Sequence, residues 1–130
     1  MNKKRILVVD DEASISRLLK LNLEKTGEYL VHTEIQGTQA LAAAREFKPE
    51  LVLLDVMMPD MDGGDVAAQM LGDAELKNVP IVFLTAAVRQ EELGSRDGNL
   101  GGFPYLAKPL SVRAVINAIE KYLLKEPQAV

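Results

Sequence analysis

Apolar residues recur along this chain in two rhythms. Ile6-Leu7-Val8-Val9, Leu51-Val52-Leu53-Leu54, Ile81-Val82-Phe83-Leu84 and Phe103-Pro104-Tyr105-Leu106-Ala107 are short continuous runs bounded by polar residues, so they read as buried strands. Residues 29–35 read as a further strand, second in chain order. Between the runs the spacing turns helical. The first helix is predicted over residues 14–26, with Ile15, Leu18, Leu19 and Leu23 on one face and Gly27 ending it. Thr38 is placed to cap a second helix that turns Ala40, Leu41, Ala44 and Phe47 inward, and Pro49 stops it. A short third helix over 65–71 follows Gly63-Gly64, and the polar, turn-rich stretch 72–80 reads as a loop. Residues 90–93 favour a helix, but Gly94, Gly98, Gly101 and Gly102 each weaken it by about 1 kcal/mol relative to alanine. A fourth helix between Val88 and Gly102 is therefore expected to be short or mobile. The last helix is the clearest, with Ser111 as N-cap and Val112, Val115, Ile116, Ile119 and Leu123 at helical spacing. Strands alternating with helices predict a parallel sheet covered on both faces.

The residues at the strand ends give the pattern its chemistry. Asp10-Asp11, Asp55, Thr85 and Lys108-Pro109 stand at the C-terminal ends of four runs. In an open parallel sheet those ends face one crevice, so residues distant in sequence converge. Asp55, where the chain leaves a buried strand, is an exposed nucleophile on a rigid support. Taken singly these residues are ordinary: an Asp-Asp pair is usually a helix start, a lysine a surface charge, a threonine a strand-end hydroxyl and Tyr105 a core aromatic. Their shared placement reverses those priors. Asp60-Met61-Asp62-Gly63-Gly64-Asp65 lacks the order and closing glutamate of a calcium loop, and it reads as a turn in which Gly63 supplies a backbone conformation other residues resist. Met57, Met58 and Met61 read as loop packing for at least one of them, with a partner-binding patch as the alternative.

Composition narrows the class. A chain of 130 residues suits one domain, and a net charge of −4 gives no reason to expect direct nucleic-acid binding. No apolar stretch approaches the roughly 20 residues of a spanning helix, which leads to the expectation of a cytoplasmic protein without membrane contact. With no cysteine, disulfides, thiolate metal sites and cysteine nucleophiles are excluded. His32 falls in the second-strand run, away from the strand-end residues, and reads as a sheet residue rather than a catalytic one.

Asp10 and Asp11, the segment Asp55-Val56-Met57-Met58-Pro59-Asp60-Met61-Asp62-Gly63, Thr85-Ala86 and Tyr105-Leu106-Ala107-Lys108-Pro109, in this order, give the chain its resemblance to the receiver domain of bacterial two-component response regulators. The resemblance implies a flavodoxin-like (βα)5 α/β three-layer sandwich with a five-stranded parallel sheet in order 2-1-3-4-5. It implies a receiver over 1–125 with 126–130 as tail or truncated linker, and phosphoryl transfer to Asp55 from a histidine kinase or histidine phosphotransfer protein. Converging carboxylates would raise one another's pKa unless a cation joined them, and oxygen ligands beside a phosphate favour Mg²⁺, with Mn²⁺ able to substitute. Family resemblance assigns Asp11 and Asp55 as side-chain ligands, the Met57 backbone carbonyl as another, and Asp10 mainly through a metal-bound water. It also gives Thr85 and Lys108 phosphoryl-stabilising roles, suggests a cis Lys108-Pro109 bond, and makes Thr85 and Tyr105 a switch acting on a face where a protein target, an attached output domain or a second copy docks. Such a protein catalyses only its own phosphotransfer and autodephosphorylation.

Two other readings compete. A haloacid-dehalogenase-type phosphatase also uses an aspartate, Mg²⁺ and a lysine, but its Asp-x-Asp motif would follow the first strand, where this chain has Asp10-Asp11-Glu12. A pseudo-receiver that never takes phosphate is opposed by the complete set of Asp10, Asp11, Asp55, Thr85 and Lys108. The segment 98–104 departs from the usual approach to the fifth strand, which leaves the output face open. Only a short tail follows Lys125, so no output domain is expected within these 130 residues, whether they form a single-domain regulator or part of a longer protein.

Overall fold

The computed structural model describes residues 3–86, 99–100 and 102–124. Strand β1 (Lys4–Val9) leads to helix α1 (Ala13–Lys25), strand β2 (Tyr29–Glu34), a single 3-10 turn (Gly37–Gln39) and helix α2 (Ala40–Phe47). Strand β3 (Leu51–Asp55), helix α3 (Gly63–Leu71), strand β4 (Ile81–Thr85), the two-residue strand β5 (Asn99–Leu100), strand β6 (Phe103–Ala107) and helix α4 (Val112–Leu124) complete the described elements. The sheet runs β2-β1-β3-β4-β6-β5. Its five parallel strands follow the expected order 2-1-3-4-5, with β6 as the fifth. Strand β5 was not anticipated; it pairs antiparallel with β6 through Asn99–Pro104 and Leu100–Phe103, and Gly102 takes φ +90° in the intervening turn. The helix expected between Val88 and Gly102, including residues 90–93, falls mostly outside the described residues, as does the tail 126–130.

Alternation along the strands builds two cores. Leu7, Val9, Val52, Leu54, Ile81 and Phe83 pack with Ala40, Ala44, Val66, Ala67 and Met70 from α2 and α3. Their neighbours Ile6, Val8, Leu51, Leu53, Val82 and Leu84 face the other way, toward Leu19 and Leu23 of α1 and Val115 and Ile119 of α4. Side chains on a strand point alternately to its two faces, so a sheet covered on both sides needs continuous apolar runs; this is why β3 and β4 are buried at every position. Each fully buried Leu or Ile contributes about 1.5–3 kcal/mol relative to exposure.

Local expectations divide. Ser111 caps α4, its Oγ accepting the Ala114 N–H at 3.0 Å. Gly27, at φ +83°, follows α1 as expected. Leu18 is a correction: it is 53% exposed, because Leu19 and Leu23, with Ile15 alongside, already fill the buried stripe of α1. Thr38 is another, since it sits inside the 3-10 turn and makes no cap; its N–H and hydroxyl both donate to Asp60 instead. Gly63 is required for a different reason from the one expected. It has no positive φ, but a Cβ there would collide with the Asp55 carbonyl oxygen and come within 2.9 Å of Val56 Cα.

Candidate functional site

The strand ends bring the predicted residues together. Asp10, just beyond β1, is fully buried, and Asp55 and Thr85, the last residues of β3 and β4, are 4% and 5% exposed. Asp55, expected to be exposed, is thus buried, because Asp10, Asp11 and Lys108 crowd around the end of its strand. One carboxylate oxygen from each of Asp10, Asp11 and Asp55 lies within 4.8 Å of the others. Lys108, just past β6, is tied to the end of β4 by its N–H, which donates to the Thr85 carbonyl at 2.7 Å. Its Nζ lies 3.0 Å from Asp10 Oδ2 and 3.7 Å from Asp55 Oδ1. The Lys108-Pro109 bond is cis. Asp11, Asp55, Met57, Thr85, Ala86 and Lys108 line a cleft of about 250 Å³, which Val56 and Glu12 complete. Met57 is 77% exposed there, whereas Met58 is buried and Met61 packs beside it against the core. Tyr105 stands apart from the cleft, paired with Phe83 across the sheet and partly buried against the core. His32 also lies away from it, 2.9 Å from Glu34.

The protein holds these carboxylates in place through its backbone. Asp10 Oδ1 accepts the Glu12 N–H at 2.9 Å, and the Asp10 carbonyl accepts the Ser16 hydroxyl at 3.2 Å. Gly63 lets the chain return close to Asp55, its N–H donating to the Val56 carbonyl at 2.7 Å. At the far end of the same connection, the Asp60 carboxylate accepts the Gly37 and Thr38 N–H groups at 3.1 and 2.9 Å, clipping the loop onto the 3-10 turn.

Crowding shows in the protonation of Asp55. Burial, a hydrogen bond with the Asp11 carboxyl and the charge of Asp10 push its pKa up to about 7, against the opposing pull of Lys108 and the Met57 N–H. Burial alone would lower the Lys108 pKa, but the hydrogen bond to Glu12 and the close charges of Asp10 and Asp55 raise it. Asp10 Oδ2 is buried and, despite its short distance to Lys108, has no hydrogen bond of acceptable geometry. Three acidic groups with an unsatisfied inward oxygen are a donor set suited to a hard divalent cation, so the residues fit the metal that the sequence implied.

The response regulator receiver domain model matches residues 6–120. The chain belongs to the response regulator receiver domain family. It is 45% identical over 129 residues to the alkaline phosphatase synthesis transcriptional regulatory protein PhoP of Bacillus subtilis, covering 98% of this chain and 51% of that protein. It is 33% identical to the polar-differentiation response regulator DivK of Brucella anthropi, covering 92% of this chain and 96% of the relative. The chain thus spans about half the length of PhoP and of ResD, another Bacillus subtilis transcriptional regulatory protein, but nearly all of DivK. Among solved structures, the Vibrio cholerae chemotaxis protein CheY4 superposes with a TM-score of 0.80 at 27% identity, over 92% of this chain and 98% of that one. This receiver therefore belongs to two-component signalling, and its acidic cluster occupies the strand-end crevice. Among the described residues, no helix is long and apolar enough to cross a membrane.

Glu12 is the site residue that sequence reasoning passed over. Its Oε1 accepts a hydrogen bond from Lys108 Nζ at 2.9 Å across 96 positions of sequence. A third acid after an acidic pair looks like surface charge, and only the strand-end placement of Lys108 could have signalled the contact.

Proposed function

We propose that this receiver is a phosphorylation-dependent switch whose phosphoacceptor is Asp55. The observation that carries the reading is the buried Asp55 carboxylate, 3.7 Å from the Lys108 ammonium and clustered with Asp10 and Asp11 at the strand ends. An Asp55 oxygen attacks the phosphorus of a phosphohistidine presented by a histidine kinase or histidine phosphotransfer protein. The phosphorus–nitrogen bond breaks, its electron pair leaves with the donor imidazole, and an aspartyl phosphate remains. The Lys108 ammonium and the Thr85 hydroxyl, both on the cleft, meet the charge on the transferring oxygens. Asp11 and Asp55, the Met57 carbonyl and, through water, Asp10 would hold Mg²⁺ or Mn²⁺. The cation supplies positive charge that favours ionised Asp55 and offsets charge on the phosphoryl group. Catalysis extends only to self-phosphorylation and autodephosphorylation.

Output follows from Thr85 and Tyr105. Phosphoryl oxygens draw the Thr85 hydroxyl inward from its 3.4 Å contact with the Ala86 carbonyl, and the Tyr105 ring takes the vacated space. The altered face then docks a protein target, an attached output domain or a second copy. The receiver unit is assigned to 1–125, in the cytoplasm, with no direct contact to nucleic acid or membrane. Acetyl phosphate with MgCl₂, read by intact-protein mass, tests the reading: native protein gains one phosphoryl group and Asp55→Asn gains none. Stoichiometric labelling of Asp55→Asn would move the acceptor, and catalytic phosphate release without a phosphoprotein would favour a phosphatase.

A further inference from the structure

Lys108 is shared among three carboxylates, and the nearest is the one outside the acidic cluster. Its Nζ lies 2.9 Å from Glu12 Oε1, 3.0 Å from Asp10 Oδ2 and 3.7 Å from Asp55 Oδ1. The Lys108 side chain is only 12% exposed, whereas that of Glu12 is 55% exposed. Asp10 is buried and fixed by its bonds to the Glu12 N–H and the Ser16 hydroxyl, so it cannot release the ammonium without moving the backbone. Glu12 can, because its carboxylate sits on a long side chain at the solvent side of the cleft. Nor is that carboxylate used to begin α1. Glu12 is the N-cap residue, but its side chain makes no capping bond; its backbone carbonyl accepts the Ile15 and Ser16 N–H groups.

We propose that Glu12 is a positioning residue for Lys108, holding the ammonium on the solvent side of the cleft and competing for it with an incoming phosphoryl group. The inference rests on the phosphoacceptor reading of Asp55. An anion entering beside Asp55 must take a hydrogen-bond donor from Lys108, and an ammonium has three to give. One is committed to Glu12 in a 2.9 Å hydrogen bond, while Asp10 and Asp55 hold the ammonium by charge. Capture of the anion therefore displaces Glu12 or shares the ammonium with it, and Glu12 adds a like charge to the cleft lining. Removing that charge frees a donor and lessens repulsion, so the anion binds more tightly. Solvent screens a half-exposed pair, which limits the gain to about threefold.

The test compares native protein, Glu12→Gln, Lys108→Ala and the double variant. Glutamine keeps the backbone carbonyl that starts α1, so Glu12→Gln folds. In the unloaded protein, nitrogen-15 NMR of the Lys108 ammonium is expected to show protons protected from exchange, with protection reduced in Glu12→Gln. Titration with beryllofluoride in MgCl₂ is expected to give about threefold tighter binding for Glu12→Gln and a clearly smaller gain when Lys108 is already alanine. A merely structural role for Glu12 would move neither the ammonium signal nor this coupling. Equal beryllofluoride affinity in native protein and Glu12→Gln, with Asp55 labelled normally, overturns the proposal and leaves the phosphoacceptor reading intact. Failure of the native protein to take either beryllofluoride or phosphoryl overturns the phosphoacceptor reading, and this proposal with it.

Discussion

Asp55 and Asp60 stand at the two ends of one strand-to-helix connection, and their surroundings pull their protons in opposite directions. Asp60 is exposed and receives donors: the Thr38 N–H foremost, then the Gly37 N–H and the Thr38 hydroxyl, which lower its pKa. Asp73, in the loop after α3, is similar, its pKa lowered by a 2.6 Å bond from Arg45 and by the Glu75 N–H. Asp55 instead meets burial and two further carboxyls, and its pKa rises to about 7. The satisfied aspartates fasten loops to the fold. Asp55 stores an electrostatic conflict that a cation or an acquired phosphoryl group can relieve, and that conflict marks a site of chemistry rather than of architecture.

Removing the conflict gives the largest expected effect. Asp55→Asn abolishes phosphoryl labelling and, without metal, is expected to melt at higher temperature than the native protein at about pH 8. Asp55 ordinarily ionises near 3.8 but holds its proton to about 7 in the fold. Between those values the folded state binds more protons than the unfolded state, so native stability falls as pH rises through the window. Asparagine carries no such term. The difference in melting temperature should therefore be small near pH 4, widen up to about pH 7 and then level off; a constant difference from pH 4 to 8 would contradict the raised pKa.

Next in size is the loss of Lys108, the cation that joins the acids. Lys108→Ala is expected to slow labelling by acetyl phosphate by about a hundredfold, the usual cost of one donor to a charged transition state. Single-exponential mass kinetics at saturating MgCl₂ would measure it, and a rate within twofold of native would remove Lys108 from the transfer step.

Gly63→Ala tests the backbone that carries the conflict. A Cβ there meets the Asp55 carbonyl and Val56 Cα, fixed backbone rather than the yielding end of a side chain. Such overpacking costs about 1–3 kcal/mol. Urea unfolding would show it as a lower midpoint with unchanged slope, and an unchanged midpoint would mean that the loop after β3 gives way easily.

These contrasts also show what could be read before the fold was known. The strand runs and the convergence of Asp10, Asp55, Thr85 and Lys108 follow from apolar periodicity and from the geometry of parallel sheets, both local or general properties, whereas the strand order 2-1-3-4-5 came from the family resemblance. Glu12 and Asp60 escaped because their partners lie far along the chain: Lys108 for the first, Gly37 and Thr38 for the second. Leu18 misled because a helical stripe can be drawn through it as well as through Leu19, and only the width of the groove under α1 decides between them. Strand β5 gave no signal, since two residues between glycines have no periodicity to read. Gly63 was singled out correctly but for its dihedral freedom, whereas its small size is what the Asp55 backbone requires.

Breaking the satisfied aspartate should have the smallest effect and sharpen the contrast most. In Asp60→Ala the clip on Gly37 and Thr38 is lost, yet the loop stays docked because Gly37 still packs against Met61 and Met58. Amide exchange at Gly37 and Thr38 is expected to accelerate severalfold while Asp55 labelling stays near native. The pH dependence has the opposite sign to that of Asp55. With its pKa lowered in the fold, Asp60 contributes stability above the ordinary carboxylate value of 3.8 and loses it as pH falls through the folded value. The native protein should therefore lose its protection advantage at Gly37 and Thr38 under acid conditions, converging on Asp60→Ala, whereas the Asp55→Asn difference shrinks there because the native Asp55 is protonated in both states. If Asp60→Ala instead lowered Asp55 labelling as much as Lys108→Ala does, the two ends of the connection would act as one electrostatic unit, and the division between fastening and reacting carboxylates would fall.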